Sequence, residues 1–363
     1  MDSSAGAEQR HAALLRFLVG RGSLLRPEAD ASSEWLDDAW RHRVVPLLYH
    51  MAEAGNTGLR SEQLEPIEAA QMEAMRVAAE HDANLVHISG LLEKEGIEIA
   101  AIKGAATANL DYPAPDWRQY GDLDVLVRPR DLTAVVSVLL DDGWRTSYPL
   151  PNGHQAFVHA ITLVKRRGWE IDVHQRLAHR SVGLRLPTDE ILDDTDWFDI
   201  GGTSVRALTT RDRLIHAAIH EGMSRFESKR LSSVADVLLL SWDNTHLADE
   251  VIARSDRWHL RPMVERSINR AYLLARLEVP IEWQRAFTSE VQSRDRLIEF
   301  AYGSDERRPL FEEVAHLRLM SSWNDRIRYI RTLVSPGDEY ERLSGRHGTI
   351  AQGRYLLDRV RNR

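Results

Sequence analysis

Apolar residues recur at three- to four-residue spacing over residues 1–95, and this spacing predicts helices. The segments are HAALLRFLV, SSEWLDDAWRHRVVPLLYHMAEAG and a long Ala-rich run from LEPIEAAQ to Lys-Glu-Gly. A helical pattern returns at residue 209, with later helices expected around 258–277, 282–302, 309–334 and 348–361. We therefore expect an N-terminal helical region (1–95) and a C-terminal helical domain (209–363).

Between these regions, residues 96–208 show the short β-branched runs that are typical of strands. IEIAAI (97–102), DLDVLV (122–127) and TSVRAL (203–208) each predict a strand, and FVHAITLVKRRGWEIDVHQRL predicts two strands joined by an Arg-Arg-Gly turn. GAATANL and RDLTAVVSVLLDDGW predict helices between the strands. The order predicts an α+β core with a mixed sheet, flanked by helices on both sides in sequence.

The strand DLDVLV carries two acidic residues inside an apolar run. Because alternate residues of a strand share one face, Asp122 and Asp124 should lie side by side, opposite the apolar side chains. Two close carboxylates repel each other unless a cation lies between them, and Mg²⁺ prefers such oxygen ligands and keeps phosphates in its shell. The alternative is a structural one, in which both aspartates are solvated at the end of an edge strand.

A metal site of this kind requires a third carboxylate, and GWEIDVHQRL supplies candidates. Glu170, Asp172 and His174 alternate on one face of an adjacent predicted strand. Asp172 is the best candidate because it lies nearest the middle of the strand, and it could also accept the proton of an attacking hydroxyl. Glu170 can instead be a solvated residue beside the turn.

An anion site is predicted where the first strand turns into a helix. Gly104 allows close approach of a ligand to the backbone, and a helix start presents free N–H groups. Lys103 would add a positive charge. Arg118, four residues before Asp122, could pair with an aspartate or hold a phosphate with two hydrogen bonds.

Composition narrows the classes of function. The formal net charge is -8, so we expect no duplex nucleic acid partner, although local Arg-rich patches occur. The absence of cysteine excludes thiolate catalysis and Cys-zinc sites. No segment is long and apolar enough for a membrane span, so we expect no membrane partner and a cytoplasmic location. Walker and dinucleotide-binding loops are also absent from the sequence.

The central segment IKGAATANLDYPAPDWRQYGDLDVLVRPRDLTAVVSVLLDDGW resembles the core of the uncharacterised nucleotidyltransferase family, part of the DNA polymerase β-like nucleotidyltransferase superfamily. EIDVHQRL, LTTRDRLIHAAIHEG and HRVVPLLYH are similar to further elements of that family, so the resemblance covers roughly residues 40–240. It implies that Asp122, Asp124 and Asp172 are catalytic and bind metal. It also implies that Lys103, Gly104, Ala105 and Arg118 bind the nucleotide.

The resemblance implies a Mg²⁺- or Mn²⁺-dependent enzyme that transfers NMP from an NTP, with ATP favoured, and releases pyrophosphate. The acceptor stays open between a hydroxyl, a phosphate and a peptide or protein, with a small molecule or peptide expected as the partner. Gly104-Ala105 stands where the superfamily has Gly-Ser, so a serine contact to phosphate is missing. Two alternatives are therefore kept: a catalytically weak nucleotide-binding or interaction protein on the same fold, and a toxin-type nucleotidyltransferase.

Several other residues could contact the acceptor or only pack. His174 shares a face with Asp172, and His216 and His220 are spaced four apart on one predicted helix, where they pack or line a cleft. Asp236 lies among apolar residues and requires a partner such as Arg230 or a histidine. Weaker candidates are His154 and His159 for the acceptor, and Trp117 and Trp144 for stacking on a base.

Overall fold

The computed structural model describes residues 2–21, 32–147, 159–165, 168–178, 180–223 and 230–288, together with residues 317, 318, 320, 323, 324, 326, 327 and 330. Within these residues, no helix is both long enough and apolar enough to cross a lipid bilayer.

Helices dominate both ends of the described chain, and the strands fall between them. The helices are α1 (Asp2–Leu18), α2 (Ser32–His42), α3 (Val45–Glu53), α4 (Ser61–Lys94), α5 (Gly104–Leu110), α6 (Leu132–Asp141), α7 (Arg180–Gly183), α8 (Thr188–Asp193), α9 (Thr210–Met223), α10 (Leu231–Asp243), α11 (Ala248–Arg257), α12 (Arg261–Ala275) and α13 (Ile281–Ala286). The strands are β1 (Ile99–Ile102), β2 (Leu123–Val127), β3 (Arg145–Thr146), β4 (Ala160–Lys165), β5 (Trp169–His174), β6 (Thr195–Ile200) and β7 (Thr203–Leu208).

The strands form one mixed sheet in the order β3-β4-β5-β2-β1-β7-β6. The central strand β2 runs antiparallel to β1 and parallel to β5. In this register Asp124 lies directly opposite Asp172 on β5 and Ile102 on β1. The predicted α+β class with a mixed sheet and flanking helices is confirmed.

The two faces of the sheet belong to two different apolar clusters. Leu123, Val125 and Val127 pack with α4, α5 and α6 on one face. Leu126, on the other face of β2, belongs to a larger cluster built from α1, α3, α9, α10 and α12. Asp122 and Asp124 alternate with the first set, so they point toward this helical cluster. The helical layer therefore forms the wall opposite the carboxylates.

Helices from both ends of the chain share that larger cluster. Leu15 of α1 and Leu47 of α3 are fully buried beside residues of α10 and α12, such as Leu238 and Ile268. The helical residues before the sheet and those after it therefore form a single apolar core. The division of the chain at residues 95 and 208 stays a prediction.

The helix predicted over SSEWLDDAWRHRVVPLLYHMAEAG is broken into α2 and α3. Arg43 adopts a positive φ of 54°, which ends α2. Pro46 follows in the first turn of α3, where its missing N–H costs nothing. The break places Arg43 at a helix junction rather than on a helix face, and this position has consequences for the site.

Other elements differ from the sequence-based expectation. Strands β3 and β6 and the short helices α7 and α8 were not predicted, because each is only two to six residues long and has no clear periodicity. The helices expected around 309–334 and 348–361 lie outside the continuously described residues. Of the helix expected at 282–302, the described part is α13 and the two residues after it.

Candidate active site

The site begins at the turn between β1 and α5. Lys103 has φ 52° and ψ -128°, a conformation outside the small left-handed well that non-glycine residues tolerate. Gly104 follows and lies against Tyr120, so that a Cβ on Gly104 would be 2.5 Å from the Tyr120 Cβ. Close packing alone therefore requires glycine at position 104. The strained backbone of Lys103 directs its side chain to the carboxylates of β2.

Asp124 is the buried centre of the site. Its Oδ1 accepts a hydrogen bond from Lys103 Nζ at 2.5 Å and contacts His174 Nε2 at 2.7 Å. Only 2% of the Asp124 side chain is exposed. Burial raises the pKa of Asp124, but the charge of Lys103 and the contact with His174 outweigh burial, and the net pKa is well below the ordinary value. Asp124 is therefore a carboxylate at any physiological pH.

Further carboxylates surround Asp124. Asp172 lies beside it on β5 and accepts a hydrogen bond of 2.5 Å from the Thr162 hydroxyl on β4. Asp122 immediately precedes β2, is partly exposed and faces Arg43 Nη1 at 3.4 Å. Glu170 lies at the outer end of β5, where burial, followed by the charges of Asp172, Asp122 and Asp124, raises its pKa. Negative charge thus accumulates around the beginning of the neighbouring strands β2 and β5.

The donor set suits a divalent cation. One ligand atom each from Asp124, Asp172 and His174 lie within 4.8 Å of one another. Asp122 is outside this group of three but on the same face of β2. Two carboxylates in register on neighbouring strands, with a third two residues away, are the oxygen ligands that Mg²⁺ or Mn²⁺ prefers. In the protein without a metal ion, the ammonium group of Lys103 compensates the negative charge of Asp124.

A cavity of about 270 Å³ opens between Asp122 and Asp124 on one side and the helical layer on the other. We call it the central cavity. Its lining combines Lys103, Gly104 and Thr107 from the β1–α5 turn and α5, Asp122 and Asp124 from β2, His216 and His220 from α9, Arg230, Ser232, Ser233 and Asp236 at and in α10, and Arg43 from the α2–α3 junction. Many of the predicted residues therefore meet in this cavity, whereas Asp172 and His174 lie beside Asp124 and do not line it.

Arg118 and Asp236 form an ion pair in the wall of the central cavity. Arg118 Nε and Nη2 each donate to a different Asp236 oxygen at 2.7 Å, and the Tyr112 hydroxyl donates to Oδ1 at 2.9 Å. The predicted partner of Asp236, Arg230 or a histidine, was wrong. Arg230 precedes α10 in an extended conformation and also lines the cavity, but the carboxylate of Asp236 is taken by Arg118 and Tyr112. Arg118 also donates to the Gln119 carbonyl, so its guanidinium is held by protein groups.

His216 and His220 line the central cavity as neutral side chains. Burial, followed by the positive charge of Lys103, lowers the pKa of His220 to about 4 and takes that of His216 well below its ordinary value. His216 is 4% exposed, and its Nε2 has no hydrogen-bond partner among the described residues. The prediction that this pair packs or lines a cleft is consistent with these positions.

The family model described as Uncharacterised nucleotidyltransferase matches residues 30–276, more than half of the chain. The chain belongs to the uncharacterised nucleotidyltransferase family. The matched range contains the whole sheet, the central cavity and helices α2 to α12. The family match therefore supports nucleotidyl transfer as the general class of reaction. It also confirms the family resemblance that the sequence predicted.

Two solved structures are similar to this member of the uncharacterised nucleotidyltransferase family. The antibiotic-resistance factor ANT(2'')-Ia is 14% identical, with a TM-score of 0.35 over 55% of this chain and 95% of its own. An antigenic nucleotidyltransferase-like protein from Paracoccidioides brasiliensis is 14% identical, with a TM-score of 0.36 over 58% of this chain and 97% of its own. The comparison with curated proteins finds no match.

Some predicted residues do not reach the central cavity with their side chains. Ala105 is buried in the apolar cluster beneath the sheet. Trp117 stacks between Phe17 and His50, and Trp144 is 2% exposed in the same cluster as Ala105, so both pack within the fold. His159 lies beside His174, with ring centroids 5.7 Å apart. His154 lies outside the described residues.

Sequence reasoning missed several residues of this family member's cavity. Arg43 is the most important, because it contacts Asp122, and Arg230 was predicted only as a partner of Asp236. Thr107, Ser232 and Ser233 add hydroxyl groups to the lining. The signal for Arg43 was present in the sequence, since it precedes Pro46 in HRVVPLLYH, a segment that predicts a helix start. Nothing local in the sequence marks Arg230 as a residue of the cavity.

Proposed function

We propose that this chain is a metal-dependent nucleotidyltransferase that moves NMP from an NTP, with ATP as the favoured donor, to a hydroxyl-bearing acceptor and releases pyrophosphate. The observation that carries the proposal is the pairing of Asp124 with Asp172 across β2 and β5, with Asp122 on the same face. The family supports nucleotidyl transfer, and the carboxylates supply the ligands that such a reaction requires.

In this proposal Asp122, Asp124 and Asp172 hold Mg²⁺ or Mn²⁺. The bound cations would neutralise charge that develops on the α-phosphate during transfer. His174 and Lys103 hold Asp124 ionised and oriented through their contacts with Oδ1. The Thr162 hydroxyl fixes Asp172, so that its second oxygen can orient an acceptor hydroxyl or accept its proton.

We further propose that the acceptor enters along α9 and α10. Neutral His216 and His220 form this side of the central cavity, and the free Nε2 of His216 can form a hydrogen bond with a hydroxyl group. A buried Nε2 without a hydrogen-bond partner destabilises the protein, and a hydrogen bond from or to a bound hydroxyl would offset this cost. The wall therefore fits an uncharged hydroxyl group better than an anion.

The experiment uses the purified full chain with each NTP labelled at the α-phosphate, Mg²⁺ and a fractionated cell extract as the source of acceptor. We expect label to move to an extract component only with metal and only for the active donor. Asp124→Asn and Asp172→Asn should each lower transfer by at least about a hundred-fold, since each removes a charged metal ligand. The control Asp249→Asn, at an exposed position on α11, should transfer at the wild-type rate.

Transfer that survives in Asp124→Asn would refute the proposed site. Metal-dependent NTP binding without any transfer would favour the catalytically weak binding protein instead. Growth arrest on expression in cells, relieved by Asp124→Asn, would point to the toxin-type alternative.

A further inference from the structure

The charges around the central cavity do not balance. Five cationic side chains line it: Arg43, Lys103, Arg118, Arg213 and Arg230. Three of them are engaged in ion pairs, Lys103 with Asp124, Arg118 with Asp236, and Arg213 with Asp111 and Asp196. The other two are Arg43, whose one ion pair is a longer contact of 3.4 Å with Asp122, and Arg230.

Arg43 and Arg230 are only weakly compensated by carboxylates. Arg43 makes a single 3.4 Å contact with Asp122, and no described acidic residue forms an ion pair with Arg230. Burial, followed by the positive charge of Arg43, lowers the pKa of Arg230, and Asp122 partly opposes this effect. Arg43 and Arg230 therefore line the same cavity as Asp122, and of the two only Arg43 contacts that carboxylate.

Binding of a cation at Asp122 would remove even this compensation. Asp122 is one of the proposed metal ligands, so its charge is committed once the metal is bound. Arg43 and Arg230 would then face the cavity as two uncompensated positive charges beside the metal. The group that must lie there in an NTP complex is the triphosphate, which carries about four negative charges.

We propose that Arg43 and Arg230 form a clamp for the polyphosphate chain of the donor nucleotide, contributed by the helical layer. This inference rests on the proposed function. The clamp takes the place of the hydroxyl contact that position 105 cannot make, because alanine has no hydroxyl group. Ser232 and Ser233, which line the cavity next to Arg230, add hydroxyl donors on the same side.

The clamp explains why α2 and α3 are separate helices. A continuous helix through residue 43 would carry Arg43 on a helix face, whereas the positive φ of 54° directs it to Asp122. A non-glycine residue in this conformation costs free energy, and such costs are tolerated where the side chain has a task. Arg43 in the N-terminal helices and Arg230 before α10 thus approach the same phosphate chain from two distant parts of the sequence.

The test measures binding of inorganic tripolyphosphate by calorimetry, with Mg²⁺, to the full chain. Arg43→Ala and Arg230→Ala should each weaken binding about ten-fold or more, since each removes charge-assisted hydrogen bonds. Arg130→Ala is the matched control, because the Arg130 side chain is 71% exposed between β2 and α6 and does not line the cavity. It should bind as the wild type does. Variants equal to the wild type, or a wild type that does not bind tripolyphosphate, would overturn the clamp.

A second experiment predicts tighter binding instead of weaker binding, a result that a misfolded variant would not give. In EDTA, Asp122→Asn should bind tripolyphosphate several-fold more tightly than the wild type, because Asp122 then no longer competes for Arg43. The double variant Arg43→Ala/Asp122→Asn should lose most of this gain, and an unchanged gain would contradict the role of Arg43. Failure of the proposed function gives a different result: tripolyphosphate binds with the expected dependence on both arginines, but no label is transferred from any NTP.

Discussion

The strained turn at Lys103 makes a prediction that separates backbone conformation from charge. Lys103→Ala removes the ammonium group but keeps a Cβ at φ 52° and ψ -128°. Lys103→Gly removes the same charge and also relieves the backbone, because glycine adopts such angles freely. The difference between the two variants therefore reports the strain, reduced by the greater freedom of glycine in the unfolded chain.

The magnitudes follow from the contacts of Lys103. Both variants leave Asp124 buried with His174 as its remaining partner, and breaking such a pair costs about 3 kcal/mol. Relief of the strain returns about 1–3 kcal/mol to the glycine variant, and the greater freedom of glycine in the unfolded chain takes back about 0.4–1 kcal/mol. We expect Lys103→Gly to be more stable than Lys103→Ala by about 1 kcal/mol, and both to be less stable than the wild type.

The measurement is urea unfolding followed by tryptophan fluorescence, with the free energy of unfolding compared at a common m-value. Arg276 provides the calibration, because it is exposed at the end of α12 with φ 55° and ψ 44°, inside the left-handed well. The gain from glycine over alanine should be at least as large at Lys103 as at Arg276. A glycine variant at Lys103 that is less stable than the alanine variant would refute the claim of strain.

Three further predictions concern packing, pairing and pH. Gly104→Ala should cost about 1–3 kcal/mol in urea unfolding because its Cβ would meet Tyr120, whereas Gly121→Ala, with no atom within 4 Å, should be close to neutral. Asp236→Asn should cost about 3 kcal/mol by leaving the buried Arg118 unpaired, whereas the exposed pair partner Glu73→Gln should show no measurable change. Because the folded pKa of His220 is about 4 and its unfolded value about 6.5, the folded state binds fewer protons, so stability is lost as pH falls from about 6.5 toward 4. Because His220 is exposed on α9, solvent screening reduces the size of this effect. His220→Gln should make the loss of stability smaller, and an unchanged difference in stability between pH 7 and pH 4.5 would contradict the assignment.

Local periodicity was sufficient to predict the acidic face of the site. The alternation in DLDVLV and WEIDVH placed Asp122, Asp124, Asp172 and His174 on strand faces, and strand geometry then required them to be neighbours if the two strands paired. The glycine after β1 was also identified from sequence. Its reason in the structure is the packing of Tyr120, which no local pattern reveals.

The cationic side of the site could not be predicted in the same way. Arg118 and Asp236 are 118 residues apart, and their pairing depends on how α10 packs against the turn before β2. Arg43 approaches Asp122 from 79 residues away, through a helix break that the apolar spacing of the segment concealed. Spacing within a segment determines which face a residue occupies, whereas partners across the fold depend on the packing of whole elements.

The shared core of the N-terminal and C-terminal helices has a consequence for the order of events during synthesis. Every strand of the sheet has been made once residue 208 leaves the ribosome. By then the chain contains the three proposed metal ligands, Lys103 and Arg43. The opposite wall of the cavity, with His216 and Arg230, comes later, and the helix that packs on α1 ends only at Ala275. A nascent chain thus carries the acidic half of the site well before the half that would enclose a nucleotide. Ribosome-bound chains ending before α10 should therefore be unable to retain one.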